Sequence, residues 1–304
     1  MSAAKDTPLK AVTLDHPLNK KITDEWVDLT PTLAEKWLGQ NHGNRNIRTP
    51  KVKAYARDLR NGAWLTDGSP FRFDWNGVMS DGQHRCEAVI ESGVTIRAHV
   101  IRGLDPASRE VMDTGTKRTP ADALFFAGYG KDKNVAAATA RIAMARESGY
   151  ITTAFGGAPP TITNTETVNW VRDNEEVAFA VALARRTYGQ IGITPSPWAY
   201  CLYELEKIDG QSAVEFADSM NEFRGLRGKG DPRAAMLTAF RNAQLGKRRK
   251  PGVAETIYIV FRTWNAWVTN KSLTSIIPRD PNGKGNDIPK PAIPTAAFKD
   301  RYLL

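Results

Sequence analysis

Apolar residues recur at helical spacing through most of the second half of the chain and in shorter, mixed patterns before it. Asn134 to Ser148 is alanine-rich and helical in pattern. Thr163-Asn164-Thr165-Glu166 reads as a capping box that opens the next helix. Thr194-Pro195 starts another, running towards Asp209-Gly210, and Ser212 to Phe223, Asp231 to Leu245 and Val253 to Val268 follow. Tyr258, Phe261, Trp264, Trp267 and Val268 share one face of the last of these. That spacing predicts a buried core stripe rather than a platform for stacked bases. A Gly/Pro loop at 152–160 interrupts the helices, and the proline-rich stretch 279–294 predicts an extended tail.

The first half alternates element types. Thr30-Pro31 opens a helix with Leu33, Ala34, Trp37 and Leu38 on one face. A polar loop, 39–48, precedes a second helix, for which Thr49 is the expected N-cap and Pro50 the first residue. Its stripe is Val52, Tyr55, Ala56 and Leu59. Phe71 to Asp74 reads as a strand, Trp75-Asn76-Gly77 as a turn and Val78-Met79 as a second strand. A helix ending at Gly93 follows, then a strand from Val94 to Ile101, with short helices expected at 106–112 and 120–127. The expected fold class is therefore α+β: a tail at 1–21, an α/β domain at 22–130 and an all-α domain at 131–304.

Between the second strand and its helix lies Asp81-Gly82-Gln83-His84-Arg85. A glycine at a helix start lets backbone amides approach a ligand, and the positive end of the helix dipole favours an anion there. On this reading Gly82, Gln83 and Arg85 bind a phosphate. Arg85 neutralises charge developing on phosphorus, His84 acts as general acid, and Asp81 orients water or a metal. The plainer reading is a well-capped helix with Asp81 as N-cap.

The order of hairpin, polar turn, helix and strand around this run resembles the core of the ParB/sulfiredoxin superfamily, the ParB-like nuclease domains. The Asp-Gly-Gln-His-Arg wording is also similar to that of DGQHR proteins from DNA-modification systems. The resemblance covers roughly Leu29 to Ala127 and implies a nucleotide-phosphate site at the helix start. It further implies that the region Asp113 to Asp122 holds nucleotide and metal, with Asp113 as a metal ligand and Arg118 as a phosphate ligand. Two departures limit what carries over. Sulfiredoxin-like members place a cysteine where this chain has Gln83, so no thiol nucleophile is implied. Chromosome-partitioning members use Glu-Arg-Arg where this chain has Gln-His-Arg, so a CTP clamp is not implied. Cys86 is expected to be a packed apolar side chain.

Charge narrows the partners. The 304 residues carry 42 Lys and Arg against 33 Asp and Glu, a formal net charge of +9, which favours a polyanion such as DNA. Arg227, Lys229 and Arg233 lie in a glycine-punctuated basic loop, and Lys247-Arg248-Arg249-Lys250 form a cationic run between two helices; both are candidate phosphate-backbone contacts. Two cysteines give neither a disulfide framework nor a zinc set, and the four histidines are scattered. Mg²⁺ held partly by substrate phosphates, and a nucleoside triphosphate, are the cofactors to consider. No run of apolar residues is long enough for a membrane span, and the polar start predicts no secretory signal, so the cytoplasm is the expected location.

The leading expectation is a ParB-like, DNA-acting protein that binds a nucleotide or DNA phosphate at the Asp81–Arg85 motif, as a nuclease or an NTPase. Two alternatives stand beside it: a non-catalytic, nucleotide-responsive DNA-binding regulator, and an enzyme modifying a DNA base or sugar. Oligomeric state and any DNA sequence preference are left open.

Overall fold

The structure is a computed structural model that describes residues 22–44, 46–110, 112, 118–155, 160–276 and 286–302. The expected tail at 1–21, the metal ligand Asp113 and the first part of the proline-rich stretch, 279–285, fall outside the described residues. The chain divides into two compact units, Met1–Lys117 and Arg118–Leu304. That division precedes the expected boundary after residue 130. The cause is the helix Pro120–Phe126, whose Ala121 and Leu124 are buried in the core of the second unit.

The first unit contains β1 (Thr23–Leu29), α1 (Pro31–Leu38), α2 (Thr49–Arg60), β2 (Phe71–Asp74), β3 (Met79–Asp81), α3 (Gln83–Ser92) and β4 (Ile96–Leu104), then a 3₁₀ turn, Pro106–Glu110. The sheet order is β1-β4-β2-β3, with β2 parallel to β4 and the other pairs antiparallel. Alternate residues Ile96, Ala98 and Val100 join Phe71, Phe73, Met79 and Leu29 in one core with Ala34, Trp37, Val52, Leu59 and Val89 of the helices. Alternation puts one face of each strand against those helices.

β1 is an edge strand and mostly exposed. Its register against β4 is marked by cross-strand pairs. Trp26 stacks on His99 at 4.9 Å, and Asp28 pairs with Arg97 at 2.9 Å. Its three carboxylates also blunt an edge that would otherwise invite another strand.

The second unit is built, among its described residues, from helices and one isolated bridge, Thr153 to Asp287. They are α4 (Pro120–Phe126), α5 (Lys133–Glu147), α6 (Asn164–Asp173), α7 (Val177–Ile191), α8 (Pro195–Asn221), α9 (Pro232–Gln244), α10 (Val253–Val268) and α11 (Ala296–Tyr302). The expected capping box at Thr163 and Glu166 is present, and Thr119 with Asp122 forms a second one. α8 breaks at Asp209, where the backbone is extended (φ −161°, ψ 98°). The Asp209 carboxylate accepts from the Ser212 amide at 2.9 Å and restarts the helix there. The aromatic stripe of α10 is fully buried against Phe216 of α8 and Phe298 of α11, as a core face requires. No helix among the described residues is long and apolar enough to cross a membrane.

Candidate functional site

The expected phosphate site is a strand-to-helix junction, and its geometry explains each residue of the motif. Gly82 is the N-cap of α3 and has φ 116°, a left-handed conformation. A Cβ at that position would overlap the Phe71 ring. The glycine is therefore required by close packing of the turn on β2, whatever else binds there. Gly82, rather than Asp81, occupies the N-cap, and it offers no side-chain cap.

Asp81 instead collects cations from β2 and α3. Its Oδ2 receives Arg72 Nη1 at 3.0 Å and Arg85 Nη2 at 3.2 Å. Arg85 also donates to the Ser69 and Pro70 carbonyls, at 2.5 and 2.7 Å. Its guanidinium lies 4.2 Å over the Phe71 ring, and its side chain is only 14 % exposed. Two carbonyls and one carboxylate take three of the five N–H donors of this arginine, and a ring face covers one side of it. Arg85 thus ties α3 to the segment before β2, and the phosphate role expected for it would have to be filled beside these bonds or at their expense.

His84 is buried at 6 % exposure, and its Nε2 accepts the Arg48 backbone N–H at 3.0 Å. An imidazole that accepts at Nε2 carries its proton at Nδ1. The residue anchors the first turn of α2, and the general-acid role expected for it would need that bond to break. Arg48 also takes the N-cap place expected for Thr49, which is the first residue of α2. Gln83, also buried, accepts from Asn41 Nδ2 at 2.9 Å. Asn44 bonds to Asn41 and, at 2.7 Å, to the Met79 carbonyl, while the Met79 amide donates to the Gln40 carbonyl at 2.9 Å. The polar loop before α2 is thus sewn onto β3 and the first turn of α3. Arg109 strengthens this seam, donating to the Met79 carbonyl at 3.0 Å and the His42 carbonyl at 3.3 Å. Sequence reasoning did not single out Arg109, because its partners come from segments 29 and more residues away.

Neither cysteine is poised for chemistry. Burial pushes the Cys86 thiol up to about 12, and Cys201, also buried, is raised by the same cause. No group of three His, Cys, Asp or Glu side chains among the described residues comes together as a metal site. Asp81 already carries two guanidiniums on its Oδ2, and their positive charge makes it a poor fit for Mg²⁺. Arg118 begins the second unit, where its guanidinium lies 4.9 Å over the Phe126 ring.

The basic segments of the second unit differ sharply from one another. Arg233 is 1 % exposed and lies against the equally buried Asp231. It donates to Asp231 at 2.9 Å, to Ser219 Oγ at 2.9 Å and to the Gly225 carbonyl at 2.7 Å. It cannot reach a phosphate backbone, which corrects that expectation. Burial acts to raise the Asp231 carboxyl, but bonds from Arg233 and from the Arg227 and Arg233 amides outweigh it, and the net shift is downward. Arg227 and Lys229 are exposed in the preceding loop. Lys247, Arg248, Arg249 and Lys250 are all exposed in the connection between α9 and α10. Arg249 alone of these four has an ion-pair partner among the described residues, Glu255 at 2.9 Å.

No protein-family model matches this chain, and no curated protein matches it. Among solved structures, the C2221 form of a Pnob8-like ParB-N domain is similar to it, with 13% identity over 74% of this chain and 98% of that chain, at a TM-score of 0.20.

Proposed function

We propose that this chain is a DNA-associated protein whose polyanion grip lies in the helical unit, and whose Asp81–Arg85 motif is a structural junction of a ParB-like N-terminal unit. The observation that carries the reading is the exposed run Lys247–Lys250, four adjacent cations against a single neighbouring carboxylate. Cations in that arrangement bind phosphates without sequence preference and release condensed counterions. The net charge of +9 supports the same partner.

Of the readings open from the sequence, the non-catalytic DNA-binding one is favoured. A nuclease or NTPase at the motif would need Arg85 to share or leave two carbonyls and Asp81, and His84 to release the Arg48 amide. Apart from the exposed contact to the Ser69 carbonyl, each is a half-buried bond whose loss leaves a polar group unpaired. Titration of the full chain with random-sequence duplex DNA at several salt concentrations tests the proposal. The expected result is affinity that falls linearly with log salt, with a slope of roughly 0.9 per phosphate neutralised. Absence of binding at low salt, or binding indifferent to salt, would overturn it.

A further inference from the structure

The cationic run borders a cleft that the DNA grip alone does not use. The cleft has a volume of about 380 Å³, within the range of roughly 300–1,000 Å³ usual for ligand pockets. Its walls come from α5, the segment after it, and the start of α10, and include Ile142, Ile151 and Phe155 with Arg141, Arg249 and Glu255. The wall at Ile151 is fixed in place by Arg146, which donates to the Ile151 carbonyl at 2.6 Å.

Three features give this cleft a chemical preference. Its lining is largely aliphatic, with one half-buried aromatic ring, Phe155. Arg141 has no hydrogen-bond or ion-pair partner among the described residues, so a cation waits at an apolar surface. Glu255 Oε2 is closed off from solvent. Arg249 Nη2 lies 2.9 Å from it but outside hydrogen-bond geometry, and no hydrogen-bond donor among the described residues reaches it. A buried carboxylate oxygen without a donor is costly and calls for one. A planar aromatic group with N–H donors on its edge and an anionic group attached would satisfy all three features.

We propose that the cleft takes an unpaired nucleobase from a single-stranded stretch of nucleic acid while the adjacent Lys247–Lys250 run holds the flanking phosphates. The inference rests on the polyanion grip proposed above and adds a preference for exposed bases. The base lies against Phe155 and the aliphatic wall, Arg249 turns from Glu255 to a flanking phosphate and uncovers the Glu255 Oε2 for an edge N–H, and Arg141 meets a phosphate. Arg249 bridges the two parts, since it belongs to the run and lines the cleft. Stacking of this kind is tolerant of base identity, because every base has a π-face.

Affinity of the full chain for a short single strand is compared with affinity for a strand of equal length built from abasic tetrahydrofuran units. The two strands share their phosphates and differ only in bases. The expected ratio is about tenfold in favour of the base-bearing strand, the effect of one stacked base. Phe155→Ala and, separately, Ala254→Trp, which fills the cleft from α10, should bring that ratio close to one. Thermal melting by circular dichroism confirms that each variant is folded before its ratio is read. A ratio near one in the unaltered chain, with salt-sensitive binding intact, would overturn the cleft and leave the run standing. A ratio that survives in both folded variants would overturn it equally. Failure of the unaltered chain to bind either strand or duplex DNA would remove the polyanion grip itself, and the cleft proposal with it.

Discussion

Arg85 and Arg233 on one side, and Lys247 to Lys250 on the other, show two different fates of positive charge in this molecule. Arg85 and Arg233 each lie beside an aspartate close in sequence; Arg85 also binds two backbone carbonyls of the segment before β2, and Arg233 one in the loop before α9. The fold takes up most of their hydrogen-bonding capacity. The run between α9 and α10 has four cations in a short connection, with one glutamate within reach and open solvent around it. Planar guanidinium groups at element junctions are drawn into caps and carbonyl clusters, because orphan carbonyls there need donors. Lysines and arginines in a solvated connection keep their charge available. The difference locates the polyanion surface by what the fold has left unspent, rather than by which motif looks most like a phosphate cradle.

The comparison breaks most readily at Arg233. Replacing it with alanine leaves Asp231 buried without its cation and should cost ~3–5 kcal/mol of stability, as for other broken buried pairs. The salt dependence of DNA binding should be unchanged. Denaturant melts and binding titrations of Arg233→Ala read the two effects separately, and a stable variant with weakened DNA binding would put Arg233 on the wrong side of the comparison. The same pair sets an acid limit. Because the folded Asp231 carboxyl lies below its ordinary 3.8, the stabilisation is present above that value and is lost as pH falls through the lowered one. Asp231→Asn should flatten the fall in stability on that acid side.

Gly82 comes next. Gly82→Ala adds a left-handed penalty to an overlap with Phe71 and should destabilise the first unit by about 2–4 kcal/mol. If the alanine variant were as stable as the unaltered chain but had lost anion binding, the glycine would belong to a ligand site after all. His84→Ala should cost less, about 1–3 kcal/mol, since it strands the Arg48 amide without its acceptor. Because that amide starts α2, hydrogen exchange there should rise in the variant. Unchanged exchange with loss of any nucleotide-dependent activity would return His84 to a catalytic role.

Long periodic segments were the legible part of the sequence. The capping box at Thr163, the proline start at Thr194-Pro195, the break near Asp209 and the buried stripe of α10 all follow from local chemistry, and each is present. β1 and α7 are among the elements that were not legible. β1 buries only Leu29 fully, so its alternation carries no core signal, and its stability comes from pairing with distant β4. α7 begins with Val177-Ala178-Phe179-Ala180-Val181-Ala182-Leu183, a run with too little polar contrast to mark a face; it buries Val177, Ala180, Val181 and Leu183 while Phe179 stays exposed.

The motif at Asp81 was visible as a strand-to-helix junction, but its purpose was not. Apart from Asp81, four residues before Arg85, the partners of Arg85, His84 and Gln83 lie in segments 15 to 42 residues away, out of reach of any local rule. Arg233 misled for the opposite reason. Its partner is two residues away, and only burial shows that the pair faces inward.

The account turns on where the polyanion grip lies, and the salt slope of duplex binding measures that directly. The full chain is compared with the variant in which Lys247, Arg248, Arg249 and Lys250 are all alanine, over a range of monovalent salt. The slope of log affinity against log salt should flatten by up to ~0.9 for each phosphate contact removed. An unchanged slope in a folded variant would contradict the account and leave the run as a solvated connection.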